Sequence, residues 1–368
     1  MGCTSSSPRG EDVLVSMDMD SLTEEELEEA PFATVVEDCS CDTPQVIVTR
    51  KLITDLQIDE LENMEFLANG GFCVVYSCVF RGQGAVLKTP RNDCPDPIGA
   101  VEDLKREIAT YERLATGGGN VRLCEAFGSG TYTTVTGVNK PFLVLERLED
   151  DTLAHVLDAT RGQKIKKTRA RRRGGVCPPL AFLSERLQLG LELAQSLVYL
   201  HDEAIPGGVV IHRDLKPTNV GFTKEGHVKV IDLGLSAMRD NREDLDDKYE
   251  MTGETGSKRF MAPEVCKGIV YNEKADVYSF SIVLWEMCAL TKPFAHMGAD
   301  EHYREVIEKG KRPLLDKSWP EGLNRLLESC WHDDPNRRPD ARAVAARLQE
   351  LVWETRRKKA RFSVRISI

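Results

Sequence analysis

From Met64 onward the chain alternates apolar and polar residues in short runs cut by glycine: "MEFLANGGFCVVYSCVF", a turn at Gly82 to Gly84, then "GAVLK". β-Branched and aromatic residues dominate both sides of the first break, which predicts a β-hairpin followed by a third strand ending at Lys88. The period then changes. "VEDLKREIATYERL" (101–114) spaces its apolar residues as one face of a helix and carries Glu107. "LSERLQLGLELAQSLVYLH" (183–201) and "ARAVAARLQELVWE" (341–354) predict two more helices. Residues 161–179, "RGQKIKKTRARRRGGVCPP", break the periodicity and end in glycine and proline, as a loop insertion does. The last residues, "RRKKARFSVRISI", are basic and then alternate, which fits either an added strand or disorder. The apolar run "SFSIVLWEMCAL" (279–290) is well short of the roughly 20 residues that cross a bilayer, so no transmembrane helix is predicted.

Length and composition narrow the class. A chain of 368 residues exceeds what one hydrophobic core usually serves, so two lobes or domains with unstructured ends are expected. With 41% hydrophobic and 29% charged residues the chain has an ordinary globular composition. Its net charge of -10 argues against a surface that tracks nucleic acid, and no nucleic-acid partner is expected. Eleven cysteines without a regular framework fit reduced thiols in a cytosolic setting. Cys39 and Cys41 form a lone C-x-C with no second pair, a poor metal site.

The start, "MGCTSS", fits the acylation pattern, with Gly2 as a myristate acceptor and Cys3 as a palmitate acceptor. One myristoyl chain binds membranes with K of only about 10⁴ M⁻¹. The usual second signal is basic, yet Asp18, Asp20, Glu24, Glu25, Glu26, Glu28 and Glu29 follow. An anionic leaflet repels them, at about 1 kcal/mol per residue near the surface. Stable anchoring then depends on Cys3. Residues 1–45 otherwise read as an acidic, solvated segment, with Ser21 and Glu24 spaced to begin a short helix.

"LANGGFCVVY" (67–76) is shaped to close over phosphates. In a dinucleotide-binding unit a helix follows such a loop; here a strand follows, which removes that reading. A lysine aimed at phosphates, such as Lys88, needs a carboxylate to hold it, and Glu107 offers one. Farther on stand "VVIHRDLKPTNVGF" (209–222) and "HVKVIDLGLS" (227–236).

With those two segments the sequence resembles the protein kinases from about Met64 to about Val352. Lys88, Glu107, Asp214, Lys216, Asn219, Asp232, "APE" (262–264), Asp276 and Arg338 occur in that family's order. "ADVYSFSIVLWEM", "KPF" and "CWHDDPNRRP" resemble its tyrosine-kinase-like branch of serine/threonine kinases. The resemblance implies an α+β two-lobed fold: a β-rich N-lobe over 61–148, a helical C-lobe over 149–352, a basic insert at 161–179 and a basic tail at 353–368. It implies ATP and Mg²⁺ as cofactors and protein serine or threonine hydroxyls as substrates. By the same resemblance Asp214 orients the hydroxyl and takes its proton, Lys216 steadies the transferred phosphate, and Asn219 and Asp232 hold the metal. ATP would lie against Leu67, Gly70, Gly71, Val75 and Lys88, with Glu107 partnering that lysine. Backbone groups of Glu146 and Leu148 would meet the base, and Leu145 would guard the deeper pocket. Asp232 to Glu264 would form the activation segment, with Thr252 and Thr255 as phosphorylation sites, Tyr249 behind them, and Arg213 as a phosphate partner. Asp276, and Glu264 with Arg338, would hold the fold; His212, Trp285 and Trp331 would be packing residues.

The chain departs from the pattern in the phosphate loop, where Ala68 and Cys73 replace two of three glycines. A non-glycine residue in an unfavourable backbone region costs about 1 to 3 kcal/mol. On that basis ATP binding is expected to weaken by about ten- to a hundredfold. Leu233 replaces the usual Phe, a conservative apolar change. An active kinase at the cytoplasmic face of a membrane is therefore the reading, and a catalytically impaired scaffold is its alternative.

Overall fold

A computed structural model of the chain describes residues 34–37, 46–49, 52–115, 120–148, 151–161, 183–240 and 257–366. Gly2, Cys3, the acidic run, Cys39, Cys41, positions 162–179 of the insert, Tyr249, Thr252 and Thr255 lie outside these residues. The chain divides into two compact units, Met1–Arg50 and Lys51–Ile368. In the first, β1 (Thr34–Glu37) pairs antiparallel with β2 (Val46–Thr49).

The second unit begins with a five-stranded antiparallel sheet in the order β3-β4-β5-β7-β6. Its strands are β3 (Leu61–Asn69), β4 (Cys73–Phe80), β5 (Gln83–Pro90), β6 (Ala126–Thr133) and β7 (Asn139–Glu146). β5 runs two residues past Lys88, because Thr89 and Pro90 still pair with β4. Period-two alternation sorts the sheet's faces. Ala85, Leu87, Phe142 and Val144 join one cluster with Leu56 and Phe80. Lys88 and Leu145 take the opposite face; Lys88 is paired with Leu143, and Val86 with Leu145. That face packs against helix α1 (Pro97–Ala115), whose Leu104 and Tyr111 share a core with Leu143 and Leu145.

Residues 52–60, which lie ahead of the N-lobe as drawn from the motifs, pack on the sheet. The Leu56 N–H donates to the Ser129 carbonyl at 3.0 Å and its side chain is fully buried. Gly130 allows this approach: a Cβ there would stand 2.1 Å from the Leu56 carbonyl oxygen.

The helical part follows, with α2 (Leu153–Thr160), α3 (Leu183–Val198), α4 (Pro263–Cys266), α5 (Lys274–Ala289), α6 (Ala299–His302), α7 (Glu321–Cys330) and α8 (Ala341–Ile366). α5 is buried on every side from Ala275 to Cys288, as a central core helix should be. Trp285 and Trp331 are buried in this core, and the Trp285 indole N–H donates to the Leu314 carbonyl at 2.8 Å. α8 continues through the basic tail to Ile366, so the tail is neither an added strand nor structureless up to that point. Leu348, Leu351 and Val352 anchor the helix in the core, and the strong helix formers beyond them propagate it. The seven described cysteines are free thiols. Among the described residues no helix is long and apolar enough to cross a membrane.

Candidate active site

The site is built on short, tightly anchored segments. β8 (Val209–Ile211) pairs with β11 (Ala237–Arg239), and β9 (Val220–Phe222) with β10 (Val228–Val230), so two small hairpin-like ladders hold the residues between them. Asp276, in the first turn of α5 and fully buried, grips the first of these loops. It accepts the His212 and Arg213 backbone N–H groups at 2.7 and 2.8 Å and sits 2.9 Å from His201 Nε2. Burial pushes the Asp276 carboxyl up, but His201 and the Arg213 N–H more than offset this and hold it below its ordinary value. His212 is buried and takes the Asp214 N–H on Nδ1 at 3.2 Å, a packing role.

Asp214 is thereby fixed at the cleft. Its Oδ2 accepts Lys216 Nζ at 2.6 Å and Asn219 Nδ2 at 3.1 Å, while Asn219 Nδ2 also reaches the Asp214 carbonyl at 3.0 Å. Its Oδ1 is buried with no hydrogen-bond partner among the described residues. A buried carboxylate oxygen without a donor is costly, and an incoming hydroxyl is the group that would satisfy it.

The second cluster joins the sheet, α1 and the segment after β10. Lys88 Nζ lies 2.6 Å from Glu107 Oε2 and 2.9 Å from Asp232 Oδ1. Burial alone would lower the Lys88 pKa, yet Asp232 and Glu107 raise it, so the ammonium is retained. Lys88 in turn draws the Asp232 carboxyl down to about 2. Glu107 is 1% exposed, and burial pushes its carboxyl up against the pull of Lys88. Asp232 carries a φ of 67°, a strained value for a residue with a side chain, and Leu233 beside it is buried in the core. Gly234 keeps the space clear: a Cβ there would lie 3.2 Å from Asp232 Oδ1.

These donors fit a hard cation. Among the described residues no group of three or more His, Cys, Asp or Glu side chains could hold a metal by itself. Mg²⁺ needs no such cage, since one or two protein oxygens and the phosphates of a substrate suffice. Asp232 is ionised, and Asn219 spends its amide nitrogen on Asp214, leaving its oxygen as the remaining ligand atom.

The roof is the β3–β4 hairpin. Leu67, Gly70 and Gly71 are exposed and Val75 is half-buried. Neither Ala68 nor Cys73 has a positive φ. Both lie in strand, Ala68 just past a register shift after Phe66 but paired with Val75, and Cys73 paired with Pro90, so the positive-φ strain expected of them is absent. The weakening of ATP binding argued from that strain loses its premise. Burial pushes the Cys73 thiol up to about 11, which leaves it an unreactive wall. The hairpin tip is pinned instead from β5's end: Arg91 Nη1 donates to the Gly70 carbonyl at 2.9 Å, the Arg91 N–H donates to the Phe72 carbonyl at 2.9 Å, and Asp93 clamps the guanidinium. Motif reading missed Arg91, because nothing local distinguishes it from any other surface arginine.

At the back of the cleft Leu145 is buried. Glu146, assigned a backbone role, also uses its side chain: Oε1 accepts the Glu125 N–H at 2.7 Å and pairs with Lys229 of β10. Leu148 leans on Gly221, where a Cβ would lie 2.6 Å from Leu148 Cδ1. Arg213, expected to wait for a phosphate, donates to the Leu235 and Ser236 carbonyls. The fold-holding pair is bidentate, Arg338 Nη1 and Nη2 reaching Glu264 Oε1 and Oε2 at 2.5 and 2.9 Å with both residues buried.

A lysine clasped by two carboxylates above a loop that presents an aspartate, a lysine and an asparagine is the arrangement the motifs anticipate. Residues 61–348 match the family model described as protein tyrosine and serine/threonine kinase. The chain belongs to the protein kinase family. Among similar kinases, serine/threonine-protein kinase VIK of Arabidopsis thaliana is 29% identical over 309 residues, covering 83% of this chain and 63% of that protein. The dual specificity protein kinase shkE of Dictyostelium discoideum is 29% identical over 294 residues, 79% of this chain and 36% of that protein. Serine/threonine/tyrosine-protein kinase HT1 of Arabidopsis thaliana is 38% identical over 164 residues, 45% of this chain and 39% of that protein. The match therefore spans less than two thirds of each of these kinases.

Proposed function

We propose that this chain is an active protein kinase that transfers the γ-phosphate of ATP to serine or threonine hydroxyls of protein substrates. The observation that carries the reading is Asp214, held by Lys216 and Asn219 with its Oδ1 buried and unpartnered. That oxygen accepts the hydroxyl proton and aims the alcohol, while Lys216 places a cation beside the reacting oxygens. Lys88, kept protonated by Glu107 and Asp232, binds phosphate, and Leu148, Leu145 and Gly221 offer the base an apolar slot. Asn219 and Asp232 would hold Mg²⁺, which when bound neutralises phosphate charge. Lys216 in "HRDLKPTN" favours aliphatic hydroxyls by resemblance.

The test is ATP-dependent phosphorylation by the purified chain beside Asp214→Asn and Lys88→Met. Each variant should lose about 10²- to 10⁴-fold in rate. Equal incorporation in all three would leave a scaffold without catalysis as the remaining reading.

The location part of the proposal rests on "MGCTSS": myristate at Gly2 and palmitate at Cys3 would hold the kinase at a cytoplasmic membrane face. Gly2→Ala and Cys3→Ser should each move it to the soluble fraction; unchanged fractionation removes this part alone.

A further inference from the structure

Next to Asp214 a half-open cleft of about 320 Å³ runs between the loop after β8, α2, the residues before α4 and the C-terminal end of α5. Four cations line it, Arg161, Lys216, Arg259 and Lys292, against two carboxylates, Asp158 and Glu286. Each carboxylate is paired with a cation. Arg161 Nη2 lies 2.5 Å from Glu286 Oε1, Arg161 Nη1 lies 2.7 Å from Asp158 Oδ1, and Arg161 Nε donates to the Leu290 carbonyl at 3.1 Å. Glu286 Oε2 is buried with no hydrogen-bond partner among the described residues. Burial pushes the Glu286 carboxyl up, and Arg161 opposes that. Lys292 Nζ is 3.3 Å from Asp158 Oδ2, shared with Arg161, and its side chain is 46% exposed. Arg259 is half-buried and has no carboxylate partner among the described residues. Lys216 lines the same cleft while paired with Asp214, so whatever fills the cleft lies within a few residues of the reacting hydroxyl.

We infer that this cleft is a substrate subsite for an anionic side chain, a carboxylate or a phosphate, near the acceptor serine or threonine. The inference rests on the kinase reading and adds the class of substrate. An intramolecular arginine pairs with both carboxylates that would otherwise attract a basic peptide, and Arg259, with Lys292 sharing Asp158, leaves the lining with more positive than negative charge, which selects the opposite charge.

The full chain with Mg·ATP is given peptide arrays in which Asp, Glu, phosphoserine, Arg or Lys is fixed at each position around one serine or threonine. An anionic residue at one nearby position should raise kcat/KM about tenfold over Arg there, and Arg259→Glu with Lys292→Glu should reverse the order. Phosphoserine above Asp and Glu identifies phosphate as the ligand; equal rates identify carboxylate. A preference for Arg or Lys, or none at any position, overturns the inference. Binding of the same peptides by fluorescence anisotropy reads the cleft without phosphotransfer. If no peptide is phosphorylated but acidic ones bind tighter, and the double variant removes this, the subsite stands and the catalytic reading falls. If acidic peptides bind no tighter, the subsite falls whatever the rates.

Discussion

The roof and the floor of this cleft are built to different tolerances. Every residue of β3 after Leu61 is exposed, and a Cβ at Gly71 would touch nothing within 4 Å. On the floor, Asp276 is fully buried and its carboxylate takes up two backbone N–H groups and a histidine. Misplacing a charge by an ångström can cost about a hundredfold in rate, so floor residues tolerate little change. A lid that contributes backbone closure can lose glycines so long as its strands stay paired, as Ala68 and Cys73 do here.

The comparison can be broken first at the floor's outer support. Arg338→Ala leaves Glu264 buried and unpaired and should cost about 3 to 5 kcal/mol, read by urea denaturation. A loss near zero would mean that this pair does not brace the helical part. Acid should act next, and again on the floor. Asp276 and Asp232 have folded pKa values below the ordinary one of about 3.9, so their stabilisation is full above that pH and is lost as pH falls through the folded values, about 2 for Asp232. The Asp232 side chain is 44% exposed and screened by solvent, which reduces its share. Thermal melts from pH 6 downward should show the midpoint falling between about pH 4 and 2, less steeply in Asp232→Asn. A midpoint that stays level over that interval would remove the linkage.

Changes in the roof should be smaller. Arg91→Ala frees the Gly70 carbonyl and should weaken nucleotide binding about fivefold, measured by titration calorimetry, with the melting temperature little changed. Restoring glycine at Ala68 and Cys73 should alter nucleotide affinity by less than about threefold, because neither residue is strained now. A gain of about tenfold or more would show that side-chain bulk, not backbone conformation, matters in the lid.

What could be read from the sequence follows the same division. Lys88, Glu107, Asp214, Asn219 and Asp232 were legible because charge chemistry leaves few substitutes at each place, and their order survives in the chain. The two lobes were legible through the change from period two to helical spacing. Contacts between distant segments were not. Arg161 reads as the first residue of a basic insert, yet it caps α2 and binds Glu286, a partner 125 positions away. Arg91 is anonymous until the hairpin folds back on it. Residues 52–60 lack a motif and are placed by hydrogen bonds to β6 that depend on Gly130. The helical tail was hidden because alternating apolar residues fit a strand, while propagation from a packed helix decides otherwise.

Lys88 touches one carboxylate on α1 and another on the strand-to-segment junction at Asp232. α1 is stitched to that same junction a turn farther along, where the Thr110 and Ser236 hydroxyls lie 3.2 Å apart. Swinging α1 outward therefore unhooks the lysine from Glu107 and loosens the junction in one motion. The angle of a single helix and the placement of Asp232 are then one variable, and any partner that grasps α1 sets both.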